Sequence, residues 1–214
     1  MLLYWRIYYC IFNLDYYLNN PIDIIKIWEG GLAIHGGIIS GIIFIILYCR
    51  KNNLNLLKTF DIFVPALIIG QAIGRWGNFF NKEAYGSITT YDTLSKIHIP
   101  KFIINGMYID HHYYHPTFFY ESLGCLLGFI ILIIYKYKIK KVNGELTSIY
   151  LIIYGILRFF IESLRQDSLM IGNLKIAQLV SIIMIISGIT LFIVLKIRSK
   201  NDKQEMGSSS KKWI

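Results

Sequence analysis

Three polar residues interrupt an apolar run of the chain, Phe60 to Phe80, at spacings typical of one helical face. Gln71, Arg75 and Asn78 stand at positions i, i+4 and i+7, so a helix presents two amides and a guanidinium on one side. Burying an arginine in an apolar run is costly, and such residues usually serve function. A planar guanidinium can hold a phosphate through two hydrogen bonds. The pattern predicts an anion site that favours phosphate.

A second polar face lies further along the chain, with similar steps of four and three residues. Its members are Tyr154, Arg158, Glu162 and Arg165. Glu121 and His35 each open another apolar run. Mutual pairing that merely holds helices together is one interpretation, and Arg158 with Glu162 could serve it alone. The three arginines outnumber the two glutamates, however, so we favour a positive and partly dry cavity suited to an anion.

Long apolar runs must position these residues. Hydrophobic residues make up 55% of the 214 residues and charged residues only 16%, which indicates a membrane protein. Five runs approach the roughly 20 residues that cross a bilayer: Ala33–Cys49, Phe60–Phe80, Phe118–Tyr135, Thr147–Leu164 and Leu174–Ile197. Met1–Phe12 is a partial sixth span. The fold class predicted is an all-α, polytopic transmembrane helix bundle.

The net charge of +9 is concentrated in alternate connecting segments. Lysines and arginines cluster at 50–58, 136–141 and 196–203, which places these segments and the C-terminus in the cytoplasm. This placement argues against nucleic acid as a partner. The long segment 81–117 is expected to form an extracytoplasmic arm or head, with a floppy loop as the alternative. Residues 1–197 form one predicted membrane domain, and 198–214 a basic, disordered tail.

Cysteines and glycines add limited information. Cys10, Cys49 and Cys125 have no paired spacing, so no disulfide or metal site is predicted. Glycine pairs four residues apart predict close helix packing; they are Gly37 with Gly41, Gly70 with Gly74, and Gly124 with Gly128.

Four segments together resemble one family. "WEGGLAIHGG", "GRWGNFFNKEAYG", "HPTFFYE" and "YGILRFFIE" are similar, in order, to signature segments of the bacterial prolipoprotein diacylglyceryl transferases. The resemblance extends from Arg6 to Ile197 and implies a bundle of seven transmembrane helices with an extracytoplasmic head and arms. The family's first helix and the front half of its second have no counterpart here.

The resemblance implies transfer of a diacylglyceryl group from phosphatidylglycerol to the lipobox cysteine of a preprolipoprotein. A thioether forms and glycerol phosphate is released. The implied partners are phosphatidylglycerol, preprolipoproteins and membrane lipid, and the implied location is the bacterial inner membrane. Similarity assigns Arg75 to the lipid headgroup. The expected lipid-binding residues are Arg75, Asn78, Gly86, Glu121 and His115.

The chemistry requires an activated thiol, whose ordinary pKa is about 8.5. His35 is the predicted base, while Arg75 and Arg158 would stabilise the leaving phosphate. Glu162 and Glu121 would orient the arginines. The predicted catalytic residues are His35, Tyr154, Arg158 and Glu162, with Tyr154 as a hydrogen-bond donor. His115 is either a second acid or base, or a brace for the loop before a helix. No cofactor is needed, because the substrate supplies the nucleophile and no redox change occurs.

Two alternatives remain at this stage. A small transporter or channel for an organic anion could use the same arginines for selectivity, provided that polar residues line a continuous path. The other alternative is an inactive, truncated homologue, because the chain lacks a counterpart of the first helix.

Overall fold

The computed structural model describes residues 34–166, 170–172 and 174–210, without the side chains of 34–38, 171, 202, 203 and 205–210. The chain divides into two units, residues 1–59 and 60–214. The predicted partial span Met1–Phe12 lies outside the described residues.

The first unit contains helix α1, Ile34–Lys51, which lies over the predicted run Ala33–Cys49. Arg50 and Lys51 occupy its last turn, where cations complement the helix dipole. The next helix starts within this unit, and Asn55 caps it, because its side-chain oxygen accepts the Lys58 N–H at 2.9 Å.

The second unit contains most of the elements. In chain order they are α2 Leu56–Asn81, which begins in the first unit, β1 Ile88–Thr89, α3 Tyr91–Lys96, α4 Lys101–Gly106, β2 Tyr108–Ile109, β3 His112–Tyr114, α5 Thr117–Lys138, α6 Glu145–Leu164, β4 Met170–Ile171, β5 Leu174–Lys175 and α7 Ile176–Ser210. Within the described residues, α2, α5, α6 and α7 are long and apolar enough to cross a membrane. They confirm four of the predicted runs and the all-α, polytopic fold class.

Contacts between these helices show their directions. Gly124 and Gly128 of α5 approach Leu157 and Ile153 of α6, so α5 and α6 run in opposite directions. Space is tight there, as predicted: a methyl group on Gly128 would lie 2.7 Å from Ile68 of α2. The shared core contains Val64, Ile68, Ala72, Cys125, Leu132, Leu146 and Tyr150.

Glycines also bring α6 and α7 together. A methyl group on Gly188 would lie 2.8 Å from the Ser148 carbonyl oxygen, and one on Gly155 would lie 3.0 Å from the Ser181 carbonyl oxygen. At Gly70 and Gly74, in contrast, a methyl group would meet nothing within 4 Å. The packing role predicted for that pair is therefore absent from the described part of the chain.

An ordered arm connects α2 to α5. Its three short strands pair antiparallel in the order β1-β3-β2. Beneath them, α3 and α4 bury Leu94, Ile103 and Ile104 against Tyr114 and Phe118. The segment 81–117 is thus structured, and the floppy-loop alternative is wrong.

The last helix is longer than predicted. α7 continues to Ser210, whereas the sequence analysis predicts a disordered tail from residue 198. The residues after Ile197 contain no proline, and the first glycine is Gly207. Lysine, glutamine, glutamate and methionine have good helix propensity, so the membrane helix extends past its apolar part.

Candidate functional site

A single buried carboxylate joins the two arginines that the sequence analysis singled out. Glu121, on α5, is only 2% exposed. Its Oε1 lies 2.9 Å from Arg75 Nη2 on α2, and its Oε2 lies 3.0 Å from Arg158 Nη1 on α6. Three helices therefore meet at one ion-pair cluster, here called the arginine cluster and defined by Arg75, Glu121, Tyr154, Arg158 and Glu162.

Tyr154 completes the centre of this cluster. Its hydroxyl donates to Glu121 Oε1 at 3.3 Å and accepts from Arg75 Nη2 at 3.4 Å. One turn earlier on α6, the Tyr150 ring stacks on that of Tyr154 at 5.7 Å between centroids. Gln71 Nε2 donates to the Tyr150 hydroxyl at 3.0 Å, which adds a polar layer below the arginines.

Glu162 forms the other side of the cluster. Its Oε2 lies 2.8 Å from Arg158 Nη2 and 4.0 Å from Arg165 Nη1. The same oxygen has no hydrogen-bond partner among the described residues, so the close contact with Arg158 is an ion pair without hydrogen-bond geometry. Lys175 Nζ donates to the carbonyl oxygens of Glu162 and Arg165, at 2.7 and 2.8 Å. This amine caps the end of α6.

Gly86 lies where the arm contacts the end of α6. Its N–H donates to the His115 carbonyl at 2.9 Å, and Gly86 forms an antiparallel bridge with Arg165. A methyl group there would lie 2.9 Å from His115 Cβ and 3.0 Å from Thr117 Cγ2. The close approach of these segments therefore requires glycine. His115 Nδ1 lies 3.1 Å from the Tyr120 hydroxyl, a contact that fits its predicted role as a brace.

The structure gives less information about two other residues of the predicted site, His35 and Asn78. His35 lies in the first turn of α1, but its side chain is outside the described part, so its role as a base stays a prediction. Asn78 is half-buried one turn beyond Arg75, and its carbonyl oxygen accepts the Glu83 N–H at 3.0 Å.

Sequence reasoning missed several residues that support the cluster. Tyr150 could have been found, because it lies four residues before Tyr154 on the same helical face. Ser122 is less visible: its hydroxyl donates to the Ala72 carbonyl at 2.8 Å and accepts from Trp76 Nε1 at 3.2 Å. The sequence did not indicate Lys175, because it lies in a two-residue strand outside the helices that carry the cluster.

The two arginines of the cluster differ in the nitrogens that their described contacts use. Both terminal nitrogens of Arg158 contact carboxylates, whereas the contacts of Arg75 with other described residues involve Nη2 alone. Arg75 is therefore better placed to offer further donors to a ligand. The described residues contain no group of three or more His, Cys, Asp or Glu that could hold a metal ion. A separate hollow of about 390 Å³ opens at Lys82, Glu83, Ala84, Tyr85 and Gln166.

Apolar helices around a shared arginine–carboxylate cluster define a multi-pass membrane protein. Comparison with known families agrees with this class. The model of the family described as prolipoprotein diacylglyceryl transferase matches residues 3–194. The chain belongs to this family.

Curated relatives share about half of their aligned residues with the chain. A phosphatidylglycerol–prolipoprotein diacylglyceryl transferase of Staphylococcus saprophyticus is 49% identical over 194 residues, covering 90% of this chain and 69% of the relative. One from Clostridium novyi is 52% identical over 196 residues, covering 92% and 75%. One from Bacillus mycoides is 47% identical over 213 residues, covering 100% and 76%.

Proposed function

We propose that this chain transfers the diacylglyceryl group of phosphatidylglycerol to the lipobox cysteine thiol of preprolipoproteins. The family match along residues 3–194 supports this activity. The observation that carries the proposed site is Glu121, whose two oxygens hold Arg75 and Arg158 at 2.9 and 3.0 Å. This contact fixes two guanidinium groups side by side in an apolar bundle.

Arg75 is the proposed first ligand of the lipid phosphate. Its side chain is 23% exposed, against 17% for Arg158, and its described contacts leave donors free. Arg158 lies on the far side of Glu121, braced by Glu162 at 2.8 Å. The phosphate would approach Arg75 and share the positive potential of both arginines. Asn78, one turn beyond Arg75, would add an amide to the same face.

The reaction is a displacement at carbon. The cysteine sulfur attacks the glycerol carbon that bears the phosphate, and a C–S bond forms as the C–O bond breaks. The electron pair of that bond leaves with the phosphate oxygen, so the products are a thioether and glycerol phosphate. Negative charge grows on the leaving group, where Arg75 and Arg158 stabilise it more in the transition state than in the bound lipid.

The thiol proton needs an acceptor, and His35 is the residue we propose. Tyr154 is proposed to keep the arginines and Glu121 in register through its two hydrogen bonds. Gly86 is proposed to act through its backbone, since it lets the arm and the end of α6 approach each other.

The proposed location is the bacterial inner membrane, with the arm outside and the C-terminus in the cytoplasm. The lysine-rich turn after α5 lies at the end of the helices opposite to the arm. Lys196, in the second half of α7, lies there too, because it pairs with Glu145 at the start of α6. Positive charge concentrated at one end favours the cytoplasmic side.

An anion transporter is the second candidate function, and the apolar core between the helices argues against it. Between the arginine cluster and the lysine-rich end, α2, α5 and α6 pack Val64, Ile68, Cys125, Leu132 and Leu146 against one another. These side chains are buried and apolar, so no polar path continues between these three helices. A site reached sideways from the lipid fits the distribution better.

The proposal is tested with the purified full chain in phosphatidylglycerol vesicles and a fluorescent lipobox peptide. We expect the peptide to gain the mass of one diacylglyceryl group, with one glycerol phosphate released per peptide. The Arg75→Ala variant should lose roughly 10²–10³ in rate, because one preorganised charge contact is removed.

A peptide with serine in place of the lipobox cysteine is the substrate control and should stay unmodified. Arg198→Ala, an exposed arginine of α7, is the matched protein control and should keep the wild-type rate. Anion flux from loaded vesicles without any change in peptide mass would support the transporter instead.

A further inference from the structure

Another buried carboxylate, outside the arginine cluster, lies near the opposite end of α2. Asp61 is 1% exposed and plays no part in the proposed chemistry. Its Oδ2 accepts the Gly144 N–H at 2.7 Å, and its Oδ1 accepts the Thr147 N–H at 2.9 Å. The Thr147 hydroxyl donates to Oδ1 at 2.7 Å, and Lys140 Nζ lies 2.9 Å from Oδ2. Every one of these partners lies in or beside the start of α6.

These contacts make Asp61 the N-terminal cap of a helix to which it does not belong. The first N–H groups of any helix need acceptors from outside its own hydrogen-bond ladder. The capping residue of α6 is Gly144, with φ of 99° and no side chain to accept them. A carboxylate also complements the positive end of the helix dipole. Asp61 therefore supplies from α2 what the local sequence lacks.

The two helices that Asp61 connects are those that carry the arginines. Arg75 lies on the same helix as Asp61, while Tyr154 and Arg158 lie on the helix that Asp61 caps. The other polar contacts between α2 and α6 are those from Gln71 to Tyr150 and from Arg75 to Tyr154. Of these two contacts, only the one from Arg75 to Tyr154 belongs to the arginine cluster. A bound phosphate would compete with Tyr154 for the donors of Arg75.

We propose that Asp61 is a positioning residue for the transferase reaction. By capping α6 from α2, it fixes the axial position of α6, so that Arg158 and Tyr154 stay opposite Arg75 while a lipid exchanges contacts there. This inference rests on the proposed function for its kinetic consequences. Its structural consequence, the fixed placement of α6 against α2, does not depend on catalysis.

Glu145 offers a matched comparison at the same end of the same helix. It is 0% exposed, its Oε1 pairs with Lys196 on α7 at 2.5 Å, and its Oε2 accepts the Lys141 N–H at 2.9 Å. Both carboxylates are buried and both are paired with a lysine. Asp61 ties α6 to α2, however, whereas Glu145 ties α6 to α7, which carries no member of the arginine cluster.

The kinetic test compares Asp61→Asn with Glu145→Gln, two changes that keep shape and remove charge. Both should lower the melting temperature in detergent, because each breaks a buried ion pair. Asp61→Asn should also raise the KM for phosphatidylglycerol about tenfold or more, since small misplacements of binding groups are costly. Glu145→Gln should leave that KM within about twofold of wild type. Thr147→Val removes the hydrogen bond from the Thr147 hydroxyl to Asp61. It should also raise the KM for phosphatidylglycerol, but less than Asp61→Asn does.

The structural test uses spin labels at the exposed positions Ile73 on α2 and Ile156 on α6, which are 68% and 44% exposed. Pulsed electron paramagnetic resonance measures the distribution of distances between the two labels. We expect this distribution to be shifted or broadened in Asp61→Asn and unchanged in Glu145→Gln. Equal KM changes in the two charge variants, or an unchanged spin-label distance in folded Asp61→Asn, would overturn the inference. If the wild-type chain transfers no lipid, the proposed function fails, while the distance measurement still decides the role of Asp61.

Discussion

At the scale of single residues, Glu121 decides how the arginine cluster is organised. The sequence indicates which residues should meet, because ions in apolar helices must find partners. It also indicates the local pair of Arg158 with Glu162, which the structure places 2.8 Å apart. That one glutamate serves two arginines from two other helices could not be read from spacing, because it depends on tertiary packing.

Asp61, at the other end of α2, shows a similar limit of prediction from the sequence. Near the start of an apolar run, an aspartate resembles an ordinary flanking charge. Its burial becomes visible only when residues 83 and 86 positions further along the chain donate to it. Buried polar groups are nearly always hydrogen-bonded, but the sequence does not identify partners at that separation.

Replacing Glu121 by glutamine should leave two guanidinium groups facing each other without a shared negative charge. We expect a loss of roughly 3 kcal/mol in stability, as for other broken buried ion pairs, and a transfer rate lower by roughly 10². Thermal unfolding in detergent and the peptide assay measure the two effects. The exposed carboxylate of Asp92 in α3 is the control, and Asp92→Asn should change neither. A Glu121→Gln variant as stable as wild type would show that the arginines do not depend on this carboxylate.

At the scale of elements, apolar run length predicted the helices well and the connections poorly. Four predicted runs became membrane-length helices, because runs near 20 residues have few other stable forms in lipid. The strands β1 to β5 have two or three residues each, which is too short for an alternating pattern to appear. The glycines that bring α6 and α7 together, Gly155 and Gly188, were also not singled out.

The contact between α6 and α7 predicts a position-specific effect of a single methyl group. Gly188→Ala would place Cβ 2.8 Å from the Ser148 carbonyl oxygen, and backbone cannot move aside cheaply. We expect a loss of about 1–3 kcal/mol, measured as a lower unfolding temperature in detergent. Gly70→Ala is the matched control, because a methyl group there would meet no described residue within 4 Å, and helix propensity alone should leave this variant equally or slightly more stable. Equal destabilisation by both changes would mean that helix packing is not the cause.

At the scale of the whole molecule, the second unit separates two kinds of charge. The arginine cluster lies toward the arm, and the lysine pairs of Asp61 and Glu145 lie at the opposite end. Charge clusters in the sequence predict this separation, because the positive-inside rule uses only their order along the chain. The ordered structure of the arm is harder to predict from the sequence, because its core forms from residues of helix, strand and loop together.

Orientation in the membrane gives a direct prediction. With the arm outside, His98→Cys in the exposed arm should react with a membrane-impermeant maleimide in intact cells. Lys138→Cys, at the exposed lysine-rich end, should react only after the membrane is opened. The unsubstituted chain measures background from its own cysteines. Labelling of Lys138→Cys in intact cells would reverse the proposed topology.

The bridge between Gly86 and Arg165 joins the arm to the end of a membrane-length helix. A membrane helix can tilt slightly, whereas a small sheet tends to move as one piece. Since the backbone of Gly86, shortly before β1, is bridged to the residue that follows α6, a tilt of that helix would be transmitted directly to the start of the arm. We therefore expect the placement of the arm to depend on that of α6, the helix that carries Arg158.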